Sequence, residues 1–331
     1  MKSSVSTSRF VSTGSLPGPD EIRLLVETAY MHFREEGAGE LANYIPALAE
    51  ANPSAFGICV ANTRGDAFMV GDADLPFSIQ SVSKPFVFAL VCDALGADEA
   101  AARLGVDATG LPFNSIMAME LRADGTSNPM VNAGAIATTS LMPGTGADDR
   151  WQRLRQGLSR FAGRTLECDE RVYQSEAATN QRNAGLAHLL RGHGRLYCDP
   201  DEAVEVYTRQ CALLVNARDL AMMGATLAGG GVHPLTGEHV VSAATCPQVL
   251  AVMATAGLYE RSGSWLYDVG LPGKSGVSGG MLTIAPGKGA VATFSPPLDT
   301  AGNSVRGQLV MRFLSERLGL NLFISEPPAQ Q

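Results

Sequence analysis

The chain has 331 residues, 45% of them apolar and 18% charged, with a formal net charge of −8 at pH 7. That length allows one large domain or two ordinary ones around a substantial core, and the composition is that of a globule rather than a disordered chain. A negative balance without a long basic run argues against a nucleic-acid partner, which needs a clustered cationic face.

Residues 1–19 are rich in Ser, Thr, Gly and Pro and are expected to form a disordered tail. They hold Lys2 and Arg9 but no apolar stretch, so no secretory signal is expected. Asp20 is placed to cap an amphipathic helix in which Ile22, Leu25, Val26, Ala29 and Phe33 share a face, with Gly37 as its stop. Residues 55–61 and 67–70 are predicted strands, joined by a turn at Thr63-Arg64-Gly65-Asp66. From 81 to about 258 the spacing is mostly helical. One helix starts at Asp148, and a long Ala-rich one spans 170–191. Asp199 and Pro200 open another over 200–214; further helices fit 217–228 and 245–255. Strands return at 279–285 and 289–294, and Ser304 to about Leu318 is helical again.

Strands at both ends with helices between them predict an α/β (α+β) chain. One antiparallel sheet is assembled from both ends and flanked by the first and last helices, and the central helices form a second lobe. The sheet lobe takes about 20–80 and 260–325, the helical lobe about 81–259, and a ligand cleft is expected between them. Residues 125–147 and 239–259 lack Asp, Glu, Lys and Arg, but Pro, Gly, Ser and Thr interrupt both, so no membrane span is expected. The six cysteines, at 59, 92, 168, 198, 211 and 246, form no C-x-x-C and no zinc-like spacing with the five dispersed histidines. Reduced thiols in a cytoplasmic protein, with no metal and no cofactor, are the expectation.

Lysine is scarce: Lys2, Lys84, Lys274 and Lys288 stand against 21 arginines. Ser81-Val82-Ser83-Lys84 is an S-x-x-K that opens the apolar run from Pro85 to Leu95. On a helix, residues three apart lie on one face with Cβ atoms roughly 5–6 Å apart, so Lys84 can reach the Ser81 hydroxyl as an activating base. A serine in the first turn also sits among free backbone N–H groups suited to an oxyanion. A free lysine, with a pKa of about 10.4, is a poor base at neutral pH; burial, a neighbouring cation or the positive helix end would lower it. The pair alone is a weak signal, because chance makes it too. Lys274-Ser275-Gly276 is the K-[ST]-G that accompanies S-x-x-K in serine hydrolases. Gly273-Lys274-Ser275 also matches the tail of a phosphate-binding loop, but Asp268 stands where that loop needs glycine.

Further segments make the pattern specific. They are Phe77 to Lys84, Asn128-Pro129-Met130-Val131-Asn132-Ala133-Gly134-Ala135, Ser175-Glu176 with Arg182-Asn183-Ala184-Gly185, Val206-Tyr207, Leu271 to Gly280, and Ser295-Pro296-Pro297-Leu298-Asp299. Together they resemble the signature stretches of the glutaminase family over about residues 20–325. The resemblance implies a β-lactamase/D,D-peptidase-like fold and hydrolysis of the side-chain amide of L-glutamine to L-glutamate and ammonia. It implies Ser81 as nucleophile and Lys84 as its base, with Tyr44 or Tyr259 as a proton relay. Ser81, Asn132, Glu176, Asn183, Tyr207, Tyr259 and Val277 match substrate-binding positions, and the N–H groups of Ser81 and Val277 would form the oxyanion hole. Ala256 departs from a cysteine frequent in the family before Gly-x-Tyr. A homo-oligomer, a tetramer, is also implied.

Without the resemblance, Asn132 and Asn183 read equally as helix caps, Glu176 as a surface carboxylate, and Tyr207 and Tyr259 as core residues. Two other functions compete. A β-lactamase or D,D-peptidase-type serine hydrolase shares both short motifs but has no use for an anion such as Glu176 aimed at a free α-ammonium. A catalytically inert binding module is opposed by the intact Ser81, Lys84 and Tyr259.

Overall fold

The computed structural model describes residues 16–122 and 124–324. The expected disordered tail therefore lies, apart from residues 16–19, outside the described residues. The first helix runs Pro19–Phe33. Asp20 is not its cap: Gly18 holds that position with no side-chain bond, Pro19 begins the helix, and Asp20 and Glu21 occupy the first turn. Proline suits that start because its missing N–H would be unpaired there anyway, and the two carboxylates favour the positive end of the helix dipole.

Strands β1 (Gly57–Asn62) and β2 (Ala67–Gly71) form the expected hairpin. Two-residue strands β3 (Phe77–Ser78) and β4 (Leu214–Val215) pair with each other, apart from the main sheet. Strands β5 (Gly273–Ser275), β6 (Gly280–Ala285) and β7 (Gly289–Phe294) complete an antiparallel sheet of order β2-β1-β7-β6-β5. Its two halves join where β1 pairs β7, from Gly57↔Phe294 to Asn62↔Gly289. The sheet is thus built from both ends of the sequence, as predicted.

Strands β1, β6 and β7 are buried along their whole length. Side chains alternate between faces along a strand, so both faces must be covered. Ile58, Val60, Met281 and Val291 pack with Ile22, Val26, Val310 and Leu314 of the terminal helices Pro19–Phe33 and Val305–Arg317. Cys59, Ala61, Leu282 and Ala292 face the other way, into the main core with Leu220 and Met223. Those two belong to the helix Ala217–Ala228. The central segment therefore does not stay wholly apart from the sheet; one of its helices covers the second face. A methyl on Gly224 of that helix would stand 2.6 Å from the Ala290 side chain, which shows how closely helix and sheet approach.

Three other expectations shift. The helix predicted over 170–191 is two, Glu170–Ala178 and Gln181–Gly192. At the break, the Thr179 hydroxyl bonds back to the Ser175 and Glu176 carbonyls, and the Asn180 amide bonds the Thr208 hydroxyl, so local side-chain bonds offset the lost helical ones. The helix from Pro200 ends at Cys211 rather than 214, because Leu214 and Val215 are drawn into β4. Strands β3, β4 and β5 have no predicted counterpart; two or three residues carry no readable period.

One contact links this packing to the site. A methyl at Gly257, just after the helix Thr245–Ala256, would sit 1.8 Å from the Gly273 carbonyl oxygen of β5. Gly257→Ala should therefore destabilise the protein by roughly 1–3 kcal/mol through overpacking. Gly185 lies inside the helix Gln181–Gly192 with nothing within 4 Å of an added Cβ, so Gly185→Ala should stabilise by about 0.5–1 kcal/mol. Urea unfolding of the two variants beside wild type reads both signs; equal effects would show that the Gly257–Gly273 approach is not a constraint.

Candidate active site

Strand β3 and the backbone bond from Ile79 N–H to the Leu213 carbonyl (2.8 Å) fix the chain just before Ser81. Gln80 then takes φ +49, and Gln80–Ser83 form a 3-10 turn that runs into the helix Lys84–Leu95, with Pro85 in its first turn. The sequence predicts Ser81 in the first turn of an α-helix. The tighter turn brings side chains i and i+3 into line, so Ser81 and Lys84 share one side of it.

Lys84 is 1% exposed. Its ammonium donates to Asn132 Oδ1 at 2.8 Å and to the Met130 carbonyl at 3.5 Å, and no carboxylate among the described residues touches it. Burial pushes its pKa down to about 8, against a partial pull upward from Cys211 and Glu176. Lys274 of β5 is also wholly buried and donates to the Ser275 carbonyl at 2.8 Å; burial, with repulsion from Lys84, holds it well below an ordinary lysine.

The Tyr259 ring is close to both lysines, its centroid 5.9 Å from Lys84 Nζ and 4.1 Å from Lys274 Nζ. Its phenol is pushed up to about 12 by burial, although the nearby Ser81 and Ser275 hydroxyls ease its ionisation. The hydroxyl is buried and makes no well-formed hydrogen bond. Tyr259 has φ +59, and Gln80 and Tyr259 are the only non-glycine residues with positive φ among those described. Such conformations cost of order 1–3 kcal/mol each and persist where surrounding packing holds them.

A cavity of about 280 Å³ opens in front of Ser81. Tyr44, Asn132, Glu176, Asn183, Tyr207 and Val277 all line it with Ser81, so the structure brings together seven of the nine residues singled out in the sequence. Lys84 and Tyr259 stand behind the wall: Lys84 bonds Asn132, and the Tyr259 ring rests on Phe113, which lines the cavity. Asn132 begins the helix Asn132–Ser140. Its Oδ1 accepts from Lys84 and from the Tyr207 hydroxyl (3.3 Å), and its amide donates to Asn183 Oδ1 at 3.1 Å. Asn183 in turn donates to Asn180 Oδ1 at 2.7 Å. Val277 follows β5 on a tight loop. A methyl on Gly276 would stand 3.0 Å from the Ile79 carbonyl and 3.3 Å from Gln80 Cβ, so the absence of a side chain there lets the loop abut the serine turn.

Glu176, 8% exposed, accepts from Gln80 Nε2 at 3.3 Å. Burial raises its pKa to about 7, while the Gln80 bond and Lys84 pull it down. Tyr207 is fully buried and burial raises its phenol far above the usual range. Tyr44 also feels an upward pull from burial, but it is 51% exposed, so solvent moderates that effect.

Gln80, Phe113, Asn114, Asn180, Arg182 and Cys211 also line the cavity and were not singled out. Gln80 adjoins Ser81, and Asn180 and Arg182 adjoin Asn183, so neighbourhood to a motif was the available signal. Phe113 and Asn114 come from an irregular segment with none. Arg182 Nε donates to the Asn114 carbonyl at 2.8 Å, and Asn132 N–H to the Phe113 carbonyl at 2.8 Å, which hold that segment over the cavity. Among the described residues, no three His, Cys, Asp or Glu side chains gather as a metal site, and no helix is long and apolar enough to cross a membrane.

A family model described as Glutaminase matches residues 39–323. The chain is 57% identical over 318 residues to Glutaminase 2 of Yersinia pestis, covering 96% of this chain and 94% of that one. It is 48% identical over 302 residues to the Glutaminase of Mycobacterium ulcerans (strain Agy99), covering 91% and 94%. Among solved structures, the probable glutaminase ybaS superposes with a TM-score of 0.91 at 44% identity, over 93% of this chain and 100% of that one. Mglu in its glutamate form superposes with a TM-score of 0.88 at 41% identity, over 92% and 70%.

The Glu176 carboxyl has a direct stability consequence. Its pKa is about 7 in the fold against an ordinary 4.5, so the fold disfavours the ionised form. The penalty is absent below pH 4.5, builds as pH rises to about 7, and is full above it. Glu176→Gln should therefore raise Tm at pH 8, by the equivalent of roughly 3 kcal/mol at most, with the gain vanishing near pH 4. Melting curves at both pH values check it; a variant less stable at pH 8 than wild type would show that the carboxylate is instead favoured where it stands.

Proposed function

The chain belongs to the glutaminase family and has its β-lactamase-like fold, and from that premise we propose that it hydrolyses L-glutamine through an ester on Ser81, with Lys84 as the general base. The observation that carries this reading is Lys84, buried, without a carboxylate partner among the described residues and with its pKa pushed down to about 8. About a tenth of such a lysine is neutral at pH 7, enough to accept a proton. Tyr259, pushed up to about 12, is almost wholly protonated and serves better to pass a proton than to take one first.

Glutamine enters with its α-ammonium beside Glu176. Ionising Glu176 is costly in the empty site, and the bound ammonium offsets that cost, so substrate lowers the carboxyl's pKa as it binds. The amides of Asn132 and Asn183 and the Tyr207 hydroxyl supply polar contacts for the α-carboxylate, and Arg182 adds the positive charge on that side of the cavity.

Ser81 Oγ attacks the side-chain amide carbon while its proton passes to Lys84, directly or through Tyr44 or Tyr259. The N–H groups of Ser81 and Val277 hold the oxyanion, each worth roughly 3–4 kcal/mol. The proton returns to the departing nitrogen, ammonia leaves, and water, deprotonated by the same base, cleaves the ester to glutamate. The proposal extends to a cytoplasmic homotetramer. The six described cysteines are all free, consistent with a reducing compartment, and light scattering of the purified protein measures the oligomer.

Two results test the mechanism. Ser81→Ala should lose at least about a thousandfold in ammonia release with the fold retained, and an electrophilic glutamine analogue should add mass at Ser81 alone; label on Ser83 or Ser275 would overturn the nucleophile. For wild type, kcat/KM should rise with pH through about 8 as Lys84 loses its proton. Lys84→Arg keeps the charge but cannot accept a proton, so it should fall at least about a hundredfold. Substantial turnover by this variant near neutral pH would move the base role to a tyrosine.

A further inference from the structure

The chemistry above uses Ser81 and Lys84 but not Ser83, the other hydroxyl of the same turn. Ser83 is wholly buried and donates to the Gln80 carbonyl at 2.7 Å. A hydroxyl has one proton, so its oxygen is left to accept, and Gln210 Nε2 donates to it at 2.8 Å. Gln210 Oε1 in turn accepts from the Thr139 hydroxyl at 2.9 Å. Gln210 and Thr139 are wholly buried as well. Thr138 and Ser140, on either side of Thr139, donate back to carbonyls of their own helix. Thr139 instead leaves its helix to reach Gln210. The three bonds run in one direction, from Thr139 to the Gln80 carbonyl, so each donor polarises the next.

The carbonyl at the end of this chain has a particular place. Gln80 has φ +49, and its carbonyl belongs to the peptide unit whose N–H is that of Ser81. That unit is planar and trans, so its carbonyl and its N–H point in opposite directions. Fixing the carbonyl against Ser83 therefore fixes the direction of the Ser81 N–H, one of the two oxyanion donors proposed above. Such a donor is effective when it is already aimed where charge will develop. The two helices that aim it also hold the base. Thr139 lies two turns after Asn132 in the helix Asn132–Ser140, and Gln210 lies about one turn after Tyr207 in the helix Pro200–Cys211. Asn132 accepts from both Tyr207 and Lys84. The helices are thus joined twice, once at the pair that holds Lys84 and once at the pair that holds Ser83.

We propose that Thr139, Gln210 and Ser83 are positioning residues that hold the Gln80–Ser81 peptide in its left-handed turn and keep the Ser81 N–H aimed at the oxyanion; the inference rests on the acyl-enzyme reading above. None of the three lines the cavity, so they act through the peptide and not on glutamine itself. Their loss weakens the tetrahedral state formed on Ser81. It leaves the amino-acid head, beside Glu176, Asn183 and Tyr207, bound as before.

The test measures kcat and KM for glutamine, across the pH range in which Lys84 titrates, for the full chain and its variants Ser81→Ala, Ser83→Ala, Thr139→Val and Thr139→Ser. Thr139→Val keeps the shape and loses the hydroxyl; Thr139→Ser keeps the hydroxyl and loses a methyl. Ser83→Ala should lower kcat roughly ten- to thirtyfold, less than outright removal of an oxyanion donor, with KM within about twofold, as for an interaction made in the transition state. Thr139→Val should lower kcat about fivefold, the worth of one hydrogen bond. Thr139→Ser should stay within about twofold of wild type although it removes buried volume. The apparent pKa of kcat/KM should be the same in all of them. A pKa moved up toward an ordinary lysine, with activity recovered at higher pH, would show that Ser83 acts on its neighbour Lys84 and would overturn the proposal. A fall in Thr139→Ser as deep as in Thr139→Val would also overturn it, since packing alone would then account for both, and so would wild-type kcat in Ser83→Ala and Thr139→Val. If Ser83→Ala does not fold, the two threonine variants decide the matter. Near wild-type turnover by Ser81→Ala would instead overturn the acyl-enzyme reading, and the positioning role with it.

Discussion

The site depends on burying the ammonium of Lys84 without giving it a carboxylate. An ion pair would have kept the lysine charged, whereas burial against neutral oxygens disfavours the charged form. The partner atoms are the Asn132 amide oxygen and, more distantly, the Met130 carbonyl. Each belongs to the segment leading into the helix Asn132–Ser140, which the chain places 48 residues after the lysine. Asn132 is held in turn by Tyr207 and Asn183, and Asn183 by Asn180, whose amide reaches Thr208. The proton affinity of one side chain is thus a property of several packed helices. Loosening any of them would admit water and restore an ordinary lysine.

A second requirement is that three backbone segments meet at one point. The serine turn, the β5 loop and the Tyr259 turn come from distant parts of the chain. Gly276 lets the β5 loop press against Ile79 and Gln80, and Gly257 lets the turn before Tyr259 press against Gly273. Gln80 and Tyr259, on either side of this junction, adopt the left-handed backbone that non-glycine residues avoid. The strain is local and the packing that sustains it is not. The sheet, fixed on one face by the terminal helices and on the other by Ala217–Ala228, is the frame against which the junction is held.

The site is also poorly adapted to stability. Two lysines and a glutamate are nearly excluded from water, and each has its pKa displaced toward the neutral form. Several buried hydroxyls nearby, including those of Tyr259, Ser278 and Ser295, have no hydrogen-bond partner in the described structure. Binding a zwitterionic amino acid would satisfy part of this cost through the ammonium. Folding and ligand binding are therefore linked, and a substitution that relieves the empty site can stabilise the protein while it weakens binding.

The sequence alone determined the frame. Periodicity located the terminal helices, the β1–β2 hairpin and strands β6 and β7, because each is long enough to show a period and bounded by turn residues. It also marked Ser81 and Lys84, whose spacing is a statement about one local turn, and the motif matches pointed to Asn132, Glu176, Asn183, Tyr207, Tyr259 and Val277. Tertiary structure decided what no local pattern encodes. It split 170–191 at Asn180, because Thr208 from another helix offers that amide a partner. It placed Ala217–Ala228 on the sheet, and it made strands out of two or three residues at β3, β4 and β5, which only their partners define. It put Tyr259 behind the wall and Phe113 in it. Above all it set the pKa values of Lys84 and Glu176, since burial is a property of what surrounds a residue and not of its neighbours in sequence.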